Sequence, residues 1–425
     1  MGRRSNRAWR HRQQRRKIKV IAVLSSLIML VLGLFVWTLF LNRPGGVTKS
    51  AAKQQSSSQQ TKSKQVTSQT ARVMAHGDLL YHDGLYISAQ QADGSYDFST
   101  NFTYVKPWIE QADLAIADFE GTISSEFPLA GYPLFNAPSS VVTAIKDAGY
   151  DVVDLAHNHI LDSQLSGLIS TSKNFTDLGI GTVGIYPEGN RASAPLFIRE
   201  INGIKIAILA YAYGFNGMEG NLTQEEYDSY LSDMNESKMQ AEIERAEKEA
   251  DVTIVMPQMG VEYQLEPTQE QVTLYHKMVD WGADVVFGGH PHVAEPSEIL
   301  EKDGDKKLII YSMGNFISNQ RMETMEGVNN YQWTERGVLM DVTFEKKDGK
   351  TLIQTATAHP TWVSRVPNGQ YAADGGSLYT YQTFILEDFI EGGKHREQLD
   401  EETKARVDTA YQEMKDFMHL SWSNE

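Results

Sequence analysis

The chain contains no cysteine among its 425 residues. That absence excludes disulfide bonds, thiolate metal sites and a cysteine nucleophile. The sequence also has no Gly-x-x-x-x-Gly-Lys-Ser/Thr loop for binding nucleotide phosphates. Because that loop is the usual cradle for a triphosphate, the chain is not expected to power ligation or transport by itself.

Acidic residues are missing from the first 77 positions, and all 55 Asp and Glu lie at or after Asp78. Residues 1–77 carry 15 Lys and Arg and a net charge of +15, whereas residues 78–425 carry 24 basic against 55 acidic residues and a net charge of −31. General binding of nucleic acid depends on clustered Lys and Arg that neutralise phosphates. We therefore expect no nucleic-acid partner.

The basic N-terminal segment precedes a long apolar run. Residues 20–41 are 22 consecutive residues without a charge, which span about 33 Å as a helix and are enough for a bilayer core. The Lys and Arg excess before this run predicts a cytoplasmic N-terminus and an extracellular remainder. We expect residues 1–19 to be cytoplasmic and residues 20–41 to be a retained single-pass anchor in the cell membrane, with late cleavage as the alternative. Residues 42–70, rich in Ser, Gln and Lys, predict a flexible stalk.

After residue 71, short apolar runs alternate with helical patterns. The expected strands are residues 71–75, 114–119, 152–156, 205–211, 252–256, 284–287, 307–312 and 338–344. The expected helices include residues 139–148, 165–178, 224–250 and 269–281. This alternation predicts an α/β sandwich built largely from β-α units over residues 71–385. The charged residues 386–425 predict a terminal helix.

Two segments of the chain resemble each other. Residues 147–159 and 280–292 match at 7 of 13 positions without a gap. Each pattern indicates a helix end, a glycine, a strand and then His-x-His. A helix-glycine-strand passage recurs by chance in many proteins, but the second His-x-His at the same offset is harder to explain that way. It suggests two related halves that deliver imidazoles to one edge of the sheet.

Polar residues follow the predicted strands at their carboxyl ends, where ligands of open α/β sheets bind. These residues are Asp78, Glu120, Asn158, His159, Gln258, His290, His292 and Asn315. Their carboxylate, amide and imidazole groups suit one or two divalent ions such as Zn, Mn or Fe. Two ions that share a carboxylate can clamp both oxygens of a phosphoryl-type displacement. The alternative for each residue is a cap, a turn or a satisfied polar group, and Ser312 and Asn315 can equally close a turn.

The motifs HGDLL, DFEGT, YPLFNAP, AGYDVVDLAHNHILD, MGVEY, GADVVFGGHPHV and YSMGNF occur in this order. Together they resemble the CapA family of bacterial poly-γ-glutamate capsule-synthesis proteins over about residues 71–320, and more weakly to about residue 385. The resemblance implies a layered αββα sandwich, a variant of the calcineurin-like metallophosphoesterase fold.

The same resemblance implies roles for individual residues. Asp78 would ligate the first ion, Glu120 would bridge, Asn158 and Gln258 would serve the second, and His290 and His292 would complete both sites. His159 would contact or protonate the substrate, with Asp162 supporting its loop. Substrate contacts are expected from His82, Asn136, His157, Ser312 and Asn315.

Two positions depart from the family pattern. Gln258 stands where the family has a histidine, and His157 stands where it has the first Asn of Asn-Asn-His. Because an amide oxygen is a poorer ligand for zinc than an imidazole, the second ion is expected to be weak, exchangeable or absent.

Two functions remain open from the sequence. The first is a membrane-anchored extracellular hydrolase that uses a metal to cleave a phosphoester or amide bond in an envelope polymer or a small anionic substrate. The second is a non-catalytic polymer-binding or export subunit of a membrane synthase complex. Since the outer domain is acidic, we expect an anionic polymer to contact a cleft where metal and a few Lys or Arg invert the local potential.

Overall fold

Extended strands carry most of the buried apolar residues in the part of the chain that the structure describes. The computed structural model describes residues 68–418 and 420–423. The strands are β1 Gln69–Leu80, β2 Leu114–Glu120, β3 Val152–Asp154, β4 Gly181–Val183, β5 Ile198–Ile201, β6 Ile204–Ala212, β7 Val252–Gln258, β8 Val285–Phe287, β9 Ala294–Lys302, β10 Asp305–Met313, β11 Asn315–Ile317, β12 Arg336–Lys347, β13 Lys350–Tyr371, β14 Ser377–Ile385 and β15 Ser421–Ser423.

Helices alternate with these strands through much of the chain. They are α1 Asp83–Ala89, α2 Lys106–Ile109, α3 Ser140–Ala148, α4 Gln164–Asp177, α5 Gln224–Tyr230, α6 Glu236–Glu249, α7 Gln269–Trp281 and α8 Glu401–Met418. Short 3-10 turns lie at Ser99–Phe102, Arg191–Ser193, Met218–Asn221, Tyr331–Trp333, Leu386–Asp388 and Arg396–Gln398.

The strands form two sheets. The first has the order β14-β13-β12-β1-β2-β3-β4, with β11 beside β1 and β15 beside β13, and the second has the order β5-β6-β7-β8-β10-β9. Strands β1 to β4 run parallel to one another, as do β6, β7, β8 and β10. The carboxyl ends of both parallel sets can therefore present loops to a common site.

Alternate residues of β6 show how the sheets pack. Ile206 and Ile208 belong to the core that the two sheets share. Ala207 and Leu209 point the other way and pack with residues of α6 and α7. Since successive side chains of a strand point to opposite faces, the second sheet lies between the shared core and a layer of helices. The predicted α/β sandwich is thus confirmed, with two central sheets.

Four aspartates set the register of the parallel strands. Each stands just before a strand, accepts a hydrogen bond from a backbone N–H of the neighbouring strand through its carboxylate, and donates its own N–H to the carbonyl of that same residue. The distances from the backbone nitrogen to the carboxylate oxygen are 2.9 Å for Arg72 and Asp113, 2.9 Å for Ala115 and Asp151, 2.8 Å for Lys205 and Asp251, and 2.8 Å for Thr253 and Asp284. The register of β1 against β2 shifts by one residue between Ala75 and Asp78, and after this shift Asp78, Asp118 and Asp154 lie side by side on β1, β2 and β3.

The expected helix over residues 224–250 is wrong in its middle, where the chain breaks into α5 and α6. The intervening Leu231 and Ser232 are buried, and the Ser232 hydroxyl donates to the carbonyl of Ala210 at 2.6 Å. Asn235 then caps α6 by accepting a hydrogen bond from the N–H of Lys238. Helical periodicity continues through this segment, so the tertiary contacts decide the break.

The ends of the domain also differ from expectation. Strand β1 begins at Gln69, inside the predicted stalk, because Gln69 and Thr70 pair with β12. The predicted terminal helix occupies Glu401–Met418, and β15 follows it and pairs with β13. The predicted cytoplasmic segment and anchor, and the stalk up to residue 67, lie outside the described residues. Within the described part of the chain, no helix combines the length and apolar character needed to cross a membrane.

Removing one of the register-setting carboxylates should destabilise the domain. Asp151→Ala leaves the Ala115 N–H without this acceptor, and we expect a loss of about 1–2 kcal/mol of unfolding free energy. Residues 65–425 form one compact unit and can be produced alone for urea denaturation. As a matched control, Asp177→Ala removes an exposed carboxylate paired with Lys173 and should cost about 0.5 kcal/mol or less. Equal losses in the two variants would contradict the register role.

Candidate metal centre

Three buried side chains of metal-binding type meet where the two sheets end. Asp78 comes from β1, Glu120 from β2, and His292 from the turn after β8, and their ligand atoms lie within 4.8 Å of one another. The Nδ1 atom of His292 is 2.8 Å from Oδ2 of Asp78 and 3.9 Å from Oε2 of Glu120. Both sheets therefore contribute to one cluster.

The carboxylates of this cluster are short of partners. Among the described residues, neither oxygen of Glu120 has a hydrogen-bond partner, and neither does Oδ1 of Asp78. Buried polar atoms are nearly always hydrogen-bonded, because an unpaired charge in the interior costs several kcal/mol. Together with His292, these free oxygens fit a divalent cation, as expected for Asp78, Glu120 and His292.

Protons and metal compete for this cluster. Burial raises the pKa of Glu120. Burial alone would lower the pKa of His292, but the charge of Glu120 and the hydrogen bond to Asp78 outweigh it and raise that pKa to about 10. In the metal-free protein, a proton on His292 therefore balances the carboxylates at neutral pH.

The turn that carries His290 and His292 is strained. Their φ angles are 97° and 57°, in the left-handed region that residues with a Cβ rarely adopt. Gly288 precedes them, and a Cβ there would lie 2.0 Å from the carbonyl oxygen of Tyr311. Strain of this kind costs about 1–3 kcal/mol and concentrates at functional sites.

His290 is held as a neutral imidazole. Burial lowers its pKa to about 3. Its ring lies 4.6 Å from that of Tyr213, and its Nδ1 has no hydrogen-bond partner within the described part of the chain. A neutral ring with a free nitrogen can donate a lone pair to a cation or accept a hydrogen bond from a substrate.

The other member of the repeat delivers His159 to the same carboxylate. Its Nε2 lies 3.9 Å from Oε1 of Glu120, and its Nδ1 lies 2.7 Å from Oδ2 of Asp162. Burial opposes a charge on His159, but Asp162 and Glu120 raise its pKa above the usual value. The two repeated segments belong to different sheets, so the expectation of one sheet edge was wrong. They place an imidazole at each oxygen of Glu120.

Gln258 and Asn158 form a closed pair at the position expected for a second ion. The Asn158 N–H donates to Oε1 of Gln258 at 2.9 Å, and Nε2 of Gln258 donates to Oδ1 of Asn158 at 3.0 Å. Because a backbone N–H can only donate, it fixes the orientation of the Gln258 amide, which in turn fixes that of Asn158. Each amide oxygen thus accepts a hydrogen bond that competes with an ion for it, and the residues fit one ion better than two.

Three further residues expected to touch substrate lie around this cluster. Oδ1 of Asn315 is 3.3 Å from Nδ1 of His292. Burial lowers the pKa of His82 to about 4, and the charge of nearby His292 adds to this effect. His157 accepts a weak hydrogen bond from the N–H of Gly121 at 3.4 Å, and so supports the turn that follows Glu120.

Asn136 and Ser312, also expected to contact substrate, instead hold turns together. Oδ1 of Asn136 accepts the N–H of Ser124 at 2.8 Å, and its Nδ2 donates to nearby backbone carbonyls. The Ser312 hydroxyl donates to the carbonyl of Val293 at 2.8 Å. Both side chains are buried and use their polar atoms within the protein.

Sequence reasoning missed Asp118, Tyr213 and Asn216. Asp118 is buried in register with Asp78, and burial, followed by the charges of Asp154 and Asp78, raises its pKa. Nδ2 of Asn216 lies 3.4 Å from both ring nitrogens of His159. Tyr213 and Asn216 follow β6, so the rule that located the other strand-end residues would have found them.

The fold and the Asp-Glu-His cluster define the class: a mixed α/β sandwich domain with a divalent-metal type of site at its strand ends. The family described as "Bacterial capsule synthesis protein PGA_cap" matches residues 72–320. That is more than half of the chain, and the chain belongs to this family. The resemblance found from the motifs is confirmed.

Two curated relatives are similar over about half of the chain. The capsule biosynthesis protein CapA of Bacillus anthracis is 29% identical over 228 residues, which cover 52% of this chain and 54% of that protein. The PGA biosynthesis protein CapA of Bacillus subtilis strain 168 is 28% identical over 223 residues, covering 52% of this chain and 57% of that protein. The match thus spans about half the length of these relatives.

Solved structures show a more distant likeness. A Staphylococcus aureus protein described as a 5′-nucleotidase, in complex with α-ketoglutarate, aligns with a TM-score of 0.40 at 12% identity, covering 80% of this chain and 58% of that one. The sulfate thiohydrolase SoxB of Thermus thermophilus, in complex with glycerol, aligns with a TM-score of 0.34 at 13% identity, covering 75% and 46%. At these scores the alignments carry no conclusion about function.

Metal binding should release protons. Since the pKa of His292 is about 10 in the metal-free protein, an ion that binds this imidazole at pH 7 must displace its proton. Affinity should rise about tenfold per pH unit for each proton released, as long as the pH stays below that pKa. Calorimetry in buffers of different ionisation enthalpy measures the release. A proton count of zero at pH 7 would rule out His292 as a ligand.

Restoring a histidine at position 258 should open the second ion position. Gln258→His breaks the pair with Asn158, frees the amide oxygen of Asn158 and adds an imidazole nitrogen. We expect the zinc content, measured by elemental analysis after dialysis, to rise from one ion per chain towards two. Gln264→His, on the exposed loop after β7, serves as a control and should leave one. An unchanged content in Gln258→His would contradict the pairing argument.

Proposed function

We propose that this domain binds one divalent ion through Asp78, Glu120 and His292 and acts as a metal-dependent hydrolase in the synthesis of capsule or another envelope polymer of the poly-γ-glutamate type. The observation that carries this proposal is Glu120. Its buried carboxylate faces an imidazole on each side, and neither of its oxygens has a hydrogen-bond partner among the described residues. The family to which the chain belongs supplies the biological setting.

The residues around the ion have distinct tasks. When bound, a divalent ion supplies Lewis acidity at this point. His159 is positioned to give a proton from Nε2 to a leaving oxygen, because Asp162 holds the opposite ring nitrogen at 2.7 Å and favours the charged imidazole. His290 stays neutral, and Asn216 offers an amide group that can orient a substrate. The buried amide of Asn315 instead contacts His292, Gln320 and Thr334 within the protein. This division fits general-acid assistance at a hydrolytic site.

The location of the domain is part of the same proposal, and its support comes from the sequence. Residues 20–41 would anchor the chain in the cell membrane, with residues 1–19 in the cytoplasm and the domain outside. The uncharged run and its basic flank support this arrangement. The stalk would hold the domain beside a membrane synthase or export complex.

A second function is favoured by one observation. The closed pair of Gln258 and Asn158 occupies the place where a second ion would sit. A centre with one ion can bind an anionic group of a polymer without cleaving it, so the domain would then be an accessory subunit for assembly or export.

The experiment measures metal content and turnover together. We expect residues 65–425 to contain one divalent ion per chain and to hydrolyse either a generic phosphodiester or a γ-glutamyl amide. His292→Ala should lose the ion and at least about 100-fold of turnover. His276→Ala removes a histidine of α7 that pairs with Glu298, and should keep both. Metal without turnover would favour the accessory subunit, and a metal-free protein would contradict both metal-based functions.

A further inference from the structure

An open groove of about 600 Å³ adjoins the metal centre. Its apolar lining comes from Tyr213, Met234, Met259, Val261 and Leu274. The groove lies against the histidine turn, because Tyr213 lies 4.6 Å from the ring of His290 and the Met259 N–H donates to the carbonyl of Gly289 at 3.0 Å. Tyr213 therefore belongs both to the wall of the groove and to the surroundings of His290.

The apolar wall of this groove is open to solvent. Tyr213 is 48% exposed and Val261 is 42% exposed, although both are large apolar side chains. They lie next to Met234 and Met259, whose unbranched side chains adapt to ligands of different shape. Exposed apolar surface that is contiguous with a polar site is typical of a ligand groove.

Charge in and around the groove does not suit a polyanionic chain. Lys277 is paired with Glu236 at 2.7 Å, which leaves Glu270 as an extra negative charge on the lining. Within the described part of the chain, the charges that act most strongly on Glu120, His290 and His292 all come from His, Asp or Glu. In the lining of the groove as described, Lys277 is the one basic residue. A run of carboxylates in the groove would meet like charge.

We propose that the groove binds an alkyl or acyl chain of the substrate while the anionic group of the same molecule lies at the metal centre. The substrate is then an amphiphile rather than a uniformly charged polymer segment. The inference rests on the proposed function for the position of the anionic group. An aliphatic chain is favoured over an aromatic base because Tyr213 is the one aromatic side chain in the lining of the groove as described, and its ring already packs near that of His290.

The test compares ethyl phosphate with octyl phosphate below its micelle concentration, on zinc-loaded and zinc-free residues 65–425. Calorimetry should show that octyl phosphate binds at least about tenfold more tightly, because several methylenes leave water. In methyl NMR spectra, octyl phosphate should shift the signals of Met234 and Met259, and ethyl phosphate should not.

Matched variants separate the groove from general surface binding. Val261→Asp should remove the gain of the longer chain, whereas Val366→Asp, at a comparably exposed valine on β13, should leave the gain intact. Equal affinity for the two phosphates, or a gain that survives Val261→Asp, would overturn the inference.

The zinc-free arm distinguishes this inference from the proposed function. If zinc does not bind but octyl phosphate still shifts Met234 and Met259, the proposed function fails and the groove stands. If zinc and ethyl phosphate bind but the octyl chain adds nothing, the groove fails and the proposed function stands.

Discussion

The site depends on one buried carboxylate, that of Glu120, whose two oxygens have no hydrogen-bond partner among the described residues. Glu120 lies between His159 and His292, about 3.9 Å from each, with Asp78 on the adjacent strand. In a low-dielectric interior such a cluster must hold either protons or a cation. The raised pKa of His292 shows the first solution, and the partnerless carboxylate oxygens show the place of the second.

The scaffold around this cluster explains how it is maintained. Aspartates at the strand starts hold the parallel strands together, and a one-residue shift before Asp78 aligns it with Asp118, two residues before Glu120 on the neighbouring strand. On the facing sheet, the strained turn after β8 brings His292 across to meet them. The folding energy of two sheets and their helices thus supports a local arrangement that is unfavourable by itself.

Much of this site could be predicted from the sequence, because the residues that follow parallel strands converge at one end of the fold. That rule located Asp78, Glu120 and the two histidines after β8. It could not separate Asn315, which contacts His292, from Ser312, which binds the carbonyl of Val293, since Ser312 ends the predicted strand that Asn315 follows. The break between α5 and α6 also depends on contacts of Leu231 and Ser232 that periodicity does not encode. From the sequence, Gln258 stands where the family resemblance implies a histidine. That Gln258 pairs with Asn158 is visible only in the structure.

That pairing sharpens what the centre can do. Where the family resemblance implies an imidazole, Gln258 forms an amide pair with Asn158. Among the described residues, one Asp-Glu-His cluster has carboxylate oxygens without partners. The most direct test is anomalous X-ray diffraction from crystals of residues 65–425 soaked with manganese. The account predicts one anomalous peak, within bonding distance of Asp78, Glu120 and His292. The absence of a peak at these three residues, or an equal second peak beside Gln258 and Asn158, would contradict it.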